Sequence, residues 1–316
     1  FNAVALAGAD PALAFDQLRL LVDNQDRLGA YPDRVDDLVR HYNFSKPPVQ
    51  GVLLEELERV HPAWWTPART RVLVDSVGRF TRWWLRHRIL PGRSLAHYLH
   101  GNDSGWDNST IFRQGAPLEA PDLNALLAVQ AAWLARKEAE RGRRRAAAGW
   151  RAVANRLAGD LIAQLWRDGQ FVGCKLPEAE PVRARSLVDC MPVVLGRRLP
   201  PEVARALVRR IRTFLTPVGV ASEQPGSPDY AEDGYWRGPV WGASTYLIVL
   251  GLESLGERAL ARTVARRFCA TCARSGFAEN FHAFSGAPLR DPGYTWTAGI
   301  FLLLAARFQR RPQSGR

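Results

Sequence analysis

The sequence predicts an all-α protein organised as one domain. Apolar residues recur at three- and four-residue steps in nearly every long segment, several segments open on Pro or Asp, and loops rich in Gly, Pro, Asn and Asp separate them. DPALAFDQLRLLVDNQ (10–25) begins with Asp and Pro, which suits a helix start. PVQGVLLEELERVH (48–61) and TPARTRVLVDSVGRFTRWWLRHR (66–88) follow with the same period. APDLNALLAVQAAWLARKEAE (120–140), GWRAVANRLAGDLIAQLWRD (149–168) and PPEVARALVRRIRTFL (200–215) continue it. GASTYLIVLGLESLG (242–256), RALARTVARRFCATCARSG (258–276) and YTWTAGIFLLLAARFQ (294–309) complete the set. Short connections alternate with long ones, the pattern of repeated antiparallel helical hairpins, without a fixed-period repeat. No composition shift or Ser/Pro linker divides the chain, so residues 1–316 read as a single domain.

Hydrophobic residues make up 47% and charged residues 23%, which excludes wholesale disorder and predicts a folded, soluble chain. The net charge of +12 raises nucleic acid or another polyanion as a partner. Its densest run, RKEAERGRRR (136–145), interleaves Glu138 and Glu140 and reads as a solvated helical face; no nucleic-acid motif stands beside it. Of four cysteines, Cys269 and Cys272 alone form a Cys-x-x-Cys pair, and their helical context predicts a buried face rather than a metal site. No apolar run is long enough to span a bilayer, so no membrane partner is expected and the localisation read from the sequence is cytoplasmic.

Chemistry is sought on the polar loops, where a rigid scaffold presents functional residues. Three loops combine carboxylates, aromatics and Gly: GNDSGWDNST (101–110), the segment around Tyr235, Trp236, Arg237 and Trp241, and the segment with Glu279, Asn280, Phe281 and His282, followed by Trp296. Indole faces stack on sugar rings while carboxylates and amides bond hydroxyls, and glycosidic cleavage uses two carboxyl groups. Asp107 and Glu279 are the natural pair. Taken singly, Asp107 reads as an Asx turn or helix cap, Glu279 as an exposed loop carboxylate, His282 as a structural histidine and each aromatic as core.

The motifs SGWDNS (104–109), DGYWRGPVW (233–241), Glu279-Asn280-Phe281 and DPGYTWTAG (291–299), in that order, resemble glycoside hydrolase family 63 and its mannosylglycerate- and glucosylglycerate-hydrolase-like members, related more distantly to trehalases. The start FNAVALAGADPALAFDQ, NQDRLGAYPD and KPPVQ also look like the family's N-terminal motifs, so the resemblance covers nearly the whole chain. It implies an (α/α)6 barrel with a pocket at the end carrying the long loops. Relatives commonly carry Trp-Asp just before the position of Phe1, so the chain is expected to be truncated at its N-terminus and to lack the first helices. The resemblance further implies an inverting α-glycosidase without metal or cofactor. Its substrate would be a small α-glucoside or α-mannoside, such as glucosylglycerate, mannosylglycerate or a short oligosaccharide. Asp107 would be the general acid and Glu279 the general base, with carboxyl groups roughly 6.5–9.5 Å apart. Among the substrate-binding residues it implies, Trp106, Tyr235, Trp236 and Trp241 would line the sugar subsite, Trp296 would flank it, Arg237 would bond sugar hydroxyls or orient a catalytic carboxylate, and Asn102 and Asp103 would contact the sugar or fix the loop. Many relatives carry Pro-Trp-Glu before the Ser-Gly of the acid motif, whereas this chain has HGND (100–103), which places a difference in sugar selectivity there. The alternatives are a catalytically silent sugar-binding or scaffold protein of the same fold, and a polyanion-binding helical protein.

Overall fold

A computed structural model describes residues 1–309. Its helices are α1 (Asn2–Leu6), α2 (Pro11–Asp23), α3 (Gln50–Val60), α4 (Pro67–His87), α5 (Gly101–Ser104), α6 (Pro121–Glu140), α7 (Arg144–Leu165), α8 (Pro201–Arg212), α9 (Gly242–Ser254), α10 (Arg258–Ser275) and α11 (Thr295–Gln309). Their starts follow the sequence signals. Asp10 accepts from the backbone N–H groups of Ala12 and Leu13, with Pro11 opening α2, and Thr66 accepts from Arg69 N ahead of Pro67.

Two sets of elements surround a common centre. The inner set is α1, α3, α6, the 3-10 segment Leu187–Arg198, α9 and α11; each packs on the next, and α11 returns to α1. Burial explains the division. Every residue of α6 from Pro121 to Ala131 is buried, and α9 buries all of Ser244–Val249, as helices apolar all round must. The outer helices α2, α4, α7, α8 and α10 pack on this ring from outside. In α8, Val203, Leu207, Val208 and Ile211 face inward while Arg205, Arg209 and Arg212 stay in solvent.

Three features depart from the sequence reading. Residues 136–145 do not form one solvated helical face, because Gly142, at φ +74°, ends α6 and turns the chain into α7. Lys137 in that run is buried and paired with Glu58 and Glu140, and Arg141 pairs with Asp75 at 2.9 Å. The inner segment 187–198 carries no helical period and holds Pro192, so hydrophobic pattern gave no sign of it. Short strands are the third. His97–Tyr98, Leu118–Glu119, Gly173–Lys175 and Glu180–Val182 form one antiparallel sheet in that order. Val240–Trp241 pairs with Asn280–Phe281, which pairs with Pro288–Leu289. At two or three residues each they are too short to show alternation. All four cysteines are free, and among the described residues no helix is long and apolar enough to cross a membrane.

Candidate active site

The loop that carries Asp107 is fixed from several directions. Gly105, at φ +72°, reverses the chain after α5, and Ser104 Oγ accepts from Trp106 N at 2.9 Å. Gly101 lies so close that a Cβ there would stand 2.2 Å from the Asp107 carbonyl oxygen. Asn108 donates to Gly234 O and accepts from Trp236 N, both at 3.0 Å, which joins this loop to the aromatic loop. Ser109 bonds Ser186 at 2.8 Å. With these duties taken by neighbours, the Asp107 carboxylate accepts no hydrogen bond from any described residue. A capping or Asx-turn role leaves a bond of that kind, so the side chain is available to a ligand.

The Val240–Trp241, Asn280–Phe281 and Pro288–Leu289 sheet brings the second and third loops together. Trp241 stands opposite Asn280, and Glu279 N donates to Asp291 O at 2.7 Å. Tyr235 donates its hydroxyl to Glu279 Oε1 at 3.1 Å and accepts at its carbonyl from Trp241 Nε1 at 2.9 Å. Its backbone is left-handed, at φ +62°. Trp236 and Trp241 stack with centroids 3.8 Å apart and planes 6° from parallel; Trp106 leans on Trp236 at 4.6 Å, and Trp296 meets Trp241 edge-on at 6.0 Å.

These groups border a cavity of about 420 Å³. Trp106, Asp107, Tyr235, Trp236, Trp241 and Trp296 line it. Glu279 stands one hydrogen bond behind the lining, held by Tyr235. The remaining expected binding residues lie elsewhere. Asp103 is buried and occupied by donors: Ser45 N at 2.8 Å, Leu99 N at 2.9 Å, His100 N at 3.2 Å and Arg88 at 3.4 Å. It is a clamp between the 45–46 segment and α5. Asn102 gives its carbonyl to Lys46 Nζ at 2.8 Å, and Arg237, whose Nε is buried without a partner among the described residues, is outside the lining. His282 Nδ1 accepts from Ser285 N at 3.0 Å, a structural role as expected.

Sequence reasoning passed over Tyr31, Asp33, Lys46, Gln50, Asp122 and Tyr294, which also line the cavity. Most stand inside quoted motifs, NQDRLGAYPD, KPPVQ and DPGYTWTAG, whose side chains were not assigned. Tyr31 is held by Ser76 of α4 at 2.7 Å, and Lys46 lies 3.2 Å from Asp33. Burial, then Glu279 and Asp107, push the Tyr235 phenol well up; burial, Glu279, Asp291 and Asp107 do the same to Tyr294. Both phenols thus feel the charge of both candidate carboxylates. Burial raises Asp122 to about 7, opposed by the hydrogen bond from Tyr98 at 2.9 Å. Among the described residues no group of three His, Cys, Asp or Glu side chains is placed to hold a metal ion.

A family profile described as the mannosylglycerate hydrolase MGH1-like glycoside hydrolase domain matches residues 1–297. A mannosylglycerate hydrolase of Thermus thermophilus is 26% identical over 151 residues, 45% of this chain and 35% of that one. A glucosylglycerate hydrolase of Mycolicibacterium hassiacum is 32% identical over 83 residues, 26% of this chain and 19% of the other. The matched segments therefore span about a third or less of these relatives. Crystal structures of a GH63 mannosylglycerate hydrolase from Thermus thermophilus, one with glucose and one with Tris and D-glycerate, superpose with TM-scores of 0.84 at 20% and 19% identity. They cover 95% and 97% of this chain and 90% and 91% of theirs, so the fold is shared across nearly the whole molecule.

Proposed function

The chain belongs to the mannosylglycerate hydrolase MGH1-like glycoside hydrolase family, and from that premise we propose that its cavity hydrolyses a small α-glucoside or α-mannoside with inversion at the anomeric carbon. One observation carries the reading: an aromatic-walled cavity is bordered by a carboxylate with no partner among the described residues, Asp107, and a second carboxylate, Glu279, stands directly behind its wall, held by the lining residue Tyr235.

Asp107 gives its proton to the glycosidic oxygen as the C1–O bond breaks. Glu279 takes a proton from the water that attacks C1 from the opposite face. Tyr235 occupies Oε1 of Glu279, which leaves Oε2 to meet that water and fixes its direction. Trp106, Trp236 and Trp241 supply apolar faces for the sugar ring and keep bulk water away from the reacting atoms. Glucosylglycerate and mannosylglycerate are the preferred candidates, since the named relatives act on them and the cavity is large enough for a disaccharide-sized ligand. Lys46 favours an acidic aglycone. It is the one basic side chain among the residues lining the cavity, and its bonds to Asp33 and Asn102 O leave one N–H of three to meet a carboxylate.

Asp107→Asn and Glu279→Gln are each expected to lower sugar release at least ~1,000-fold with an unchanged thermal transition, measured on both glycosyl-glycerates. Wild-type turnover in either variant overturns the assignment, and retention of anomeric configuration, read by NMR on the first product, overturns inversion. Lys46→Gln is expected to reduce the kcat/KM ratio of glucosylglycerate to glucosylglycerol about 10-fold, the value of one charge-assisted hydrogen bond.

A further inference from the structure

Tyr235 and Arg290 are two of only four non-glycine residues with positive φ among the described residues, and they touch each other. Arg290, at φ +65°, sits between Leu289, which pairs with Asn280, and Asp291, whose carbonyl accepts from Glu279 N. Its backbone is therefore registered with Glu279 and the strand that follows it. Its side chain crosses to the aromatic loop. The guanidinium lies 2.7 Å from Asp233 Oδ1, donates to Asp233 Oδ2 at 3.2 Å and to the Asp233 carbonyl at 3.1 Å, and stands 5.9 Å from the Tyr235 ring centroid. Left-handed backbone is strained for a bulky residue such as Tyr, and it persists only where surrounding contacts hold it. On the inner side Trp241 supplies them; on the outer side Arg290 does.

We infer that Arg290 is a positioning residue for Glu279: it latches the 233–235 turn to the segment that carries the base and holds the Tyr235 ring so that its hydroxyl reaches Glu279 Oε1. This rests on the reading of Glu279 as general base. An exposed ion pair by itself contributes little stability, so the Arg290–Asp233 pair is expected to show in turnover rather than in the thermal transition. The guanidinium acts through the tyrosine, and removing the Tyr235 hydroxyl must then remove most of what Arg290 contributes.

The test is a double-mutant cycle of Arg290→Met and Tyr235→Phe, with kcat and KM measured on glucosylglycerate and mannosylglycerate. Arg290→Met is expected to lower kcat about 10-fold with KM within about 2-fold of wild type, and to change kcat by less than about 2-fold in the Tyr235→Phe background. A wild-type kcat in Arg290→Met overturns the proposal, as does an equal loss in both backgrounds. Should Arg290→Met lose its thermal transition, Arg290→Lys serves in the same cycle: it keeps the charge at Asp233 and gives up the planar contact on the ring, with a loss of about 3-fold expected. Release of sugar by wild type with no coupling in the cycle sinks this proposal alone. Release from neither substrate sinks it together with the glycosidase reading.

Discussion

Asp107 shows how a single residue acquires a role. In the sequence its flanking Asn, Ser and Gly make it a candidate turn residue; in the folded chain those neighbours make the turn and leave its carboxylate against a cavity without a hydrogen bond from any described residue. Its position depends on a residue six places earlier. Gly101→Ala would put a methyl 2.2 Å from the Asp107 carbonyl, closer than any contact the backbone can tolerate, so Asp107, the proposed acid, must move. A shift on the order of 1 Å at a catalytic group costs about 100-fold in rate, and Gly101→Ala is expected to lower kcat by roughly that factor. A crystal structure of the variant with Asp107 unmoved, or an unchanged kcat, would contradict this. The motif SGWDNS singles out Asp107 in the sequence, and its aromatic loop chemistry, followed by the order of the motifs, pairs it with Glu279. For Asp103 the sequence leaves sugar contact and loop fixing both open, because short polar loop residues look alike in sequence; the four donors around it decide for the clamp.

At the scale of elements, identical residues carry opposite consequences according to which face they occupy. Gly149 lies in α7 with nothing within 4 Å of an added Cβ, whereas Gly51 of α3 lies where a Cβ would be 2.4 Å from Gln130 Cα of α6. Gly149→Ala is expected to stabilise by about 0.5–1 kcal/mol, since a helix interior favours Ala over Gly and the site is open. Gly51→Ala must instead push two inner helices apart and break the bond from Gly51 N to Gln130 Oε1, and a loss of about 2–4 kcal/mol is expected. Urea titration of both variants checks the pair; shifts of the same sign would refute the packing argument. Periodicity located α3, α6 and α7 within a few residues, because long amphipathic or wholly apolar runs are the strongest local signal. It missed the 187–198 segment and the short strands, whose existence depends on neighbours remote in sequence.

For the molecule as a whole, the ring of inner elements creates an interior in which ionisable groups are costly. Asp122 lies at the start of α6, buried against the cavity wall, with Asp189 also buried and likewise pushed well up. Asp122 holds its proton up to a pH of about 7 in the fold but only to the ordinary carboxylate value when unfolded. The folded chain therefore binds the proton more tightly. Its contribution is full below about pH 4 and is lost as pH rises toward 7, by an amount on the order of 4 kcal/mol at most. Asp122→Asn keeps an acceptor for Tyr98 and removes the titration. It is expected to raise the urea midpoint at pH 8 and leave it nearly unchanged at pH 4. An equal shift at both values would show that ionisation of Asp122 is not what limits stability.

By itself the sequence determined the helical class, the placement of the long helices, the polar loops and the ordered motifs that carry Asp107, Tyr235, Trp236, Trp241 and Glu279. Those features are local: capping residues, a three-to-four-residue period and short runs of loop chemistry are complete within about twenty residues of chain. The tertiary structure decided what those loops do together. It closed the inner ring by bringing α11 back to α1, carried Asp33 and Lys46 to the cavity, placed Tyr235 in the lining with its hydroxyl on Glu279, and turned Asp103 inward as a clamp. Each of these is a contact between segments tens to hundreds of residues apart. Such contacts follow from burial and hydrogen-bond satisfaction over the whole core, which no local pattern encodes.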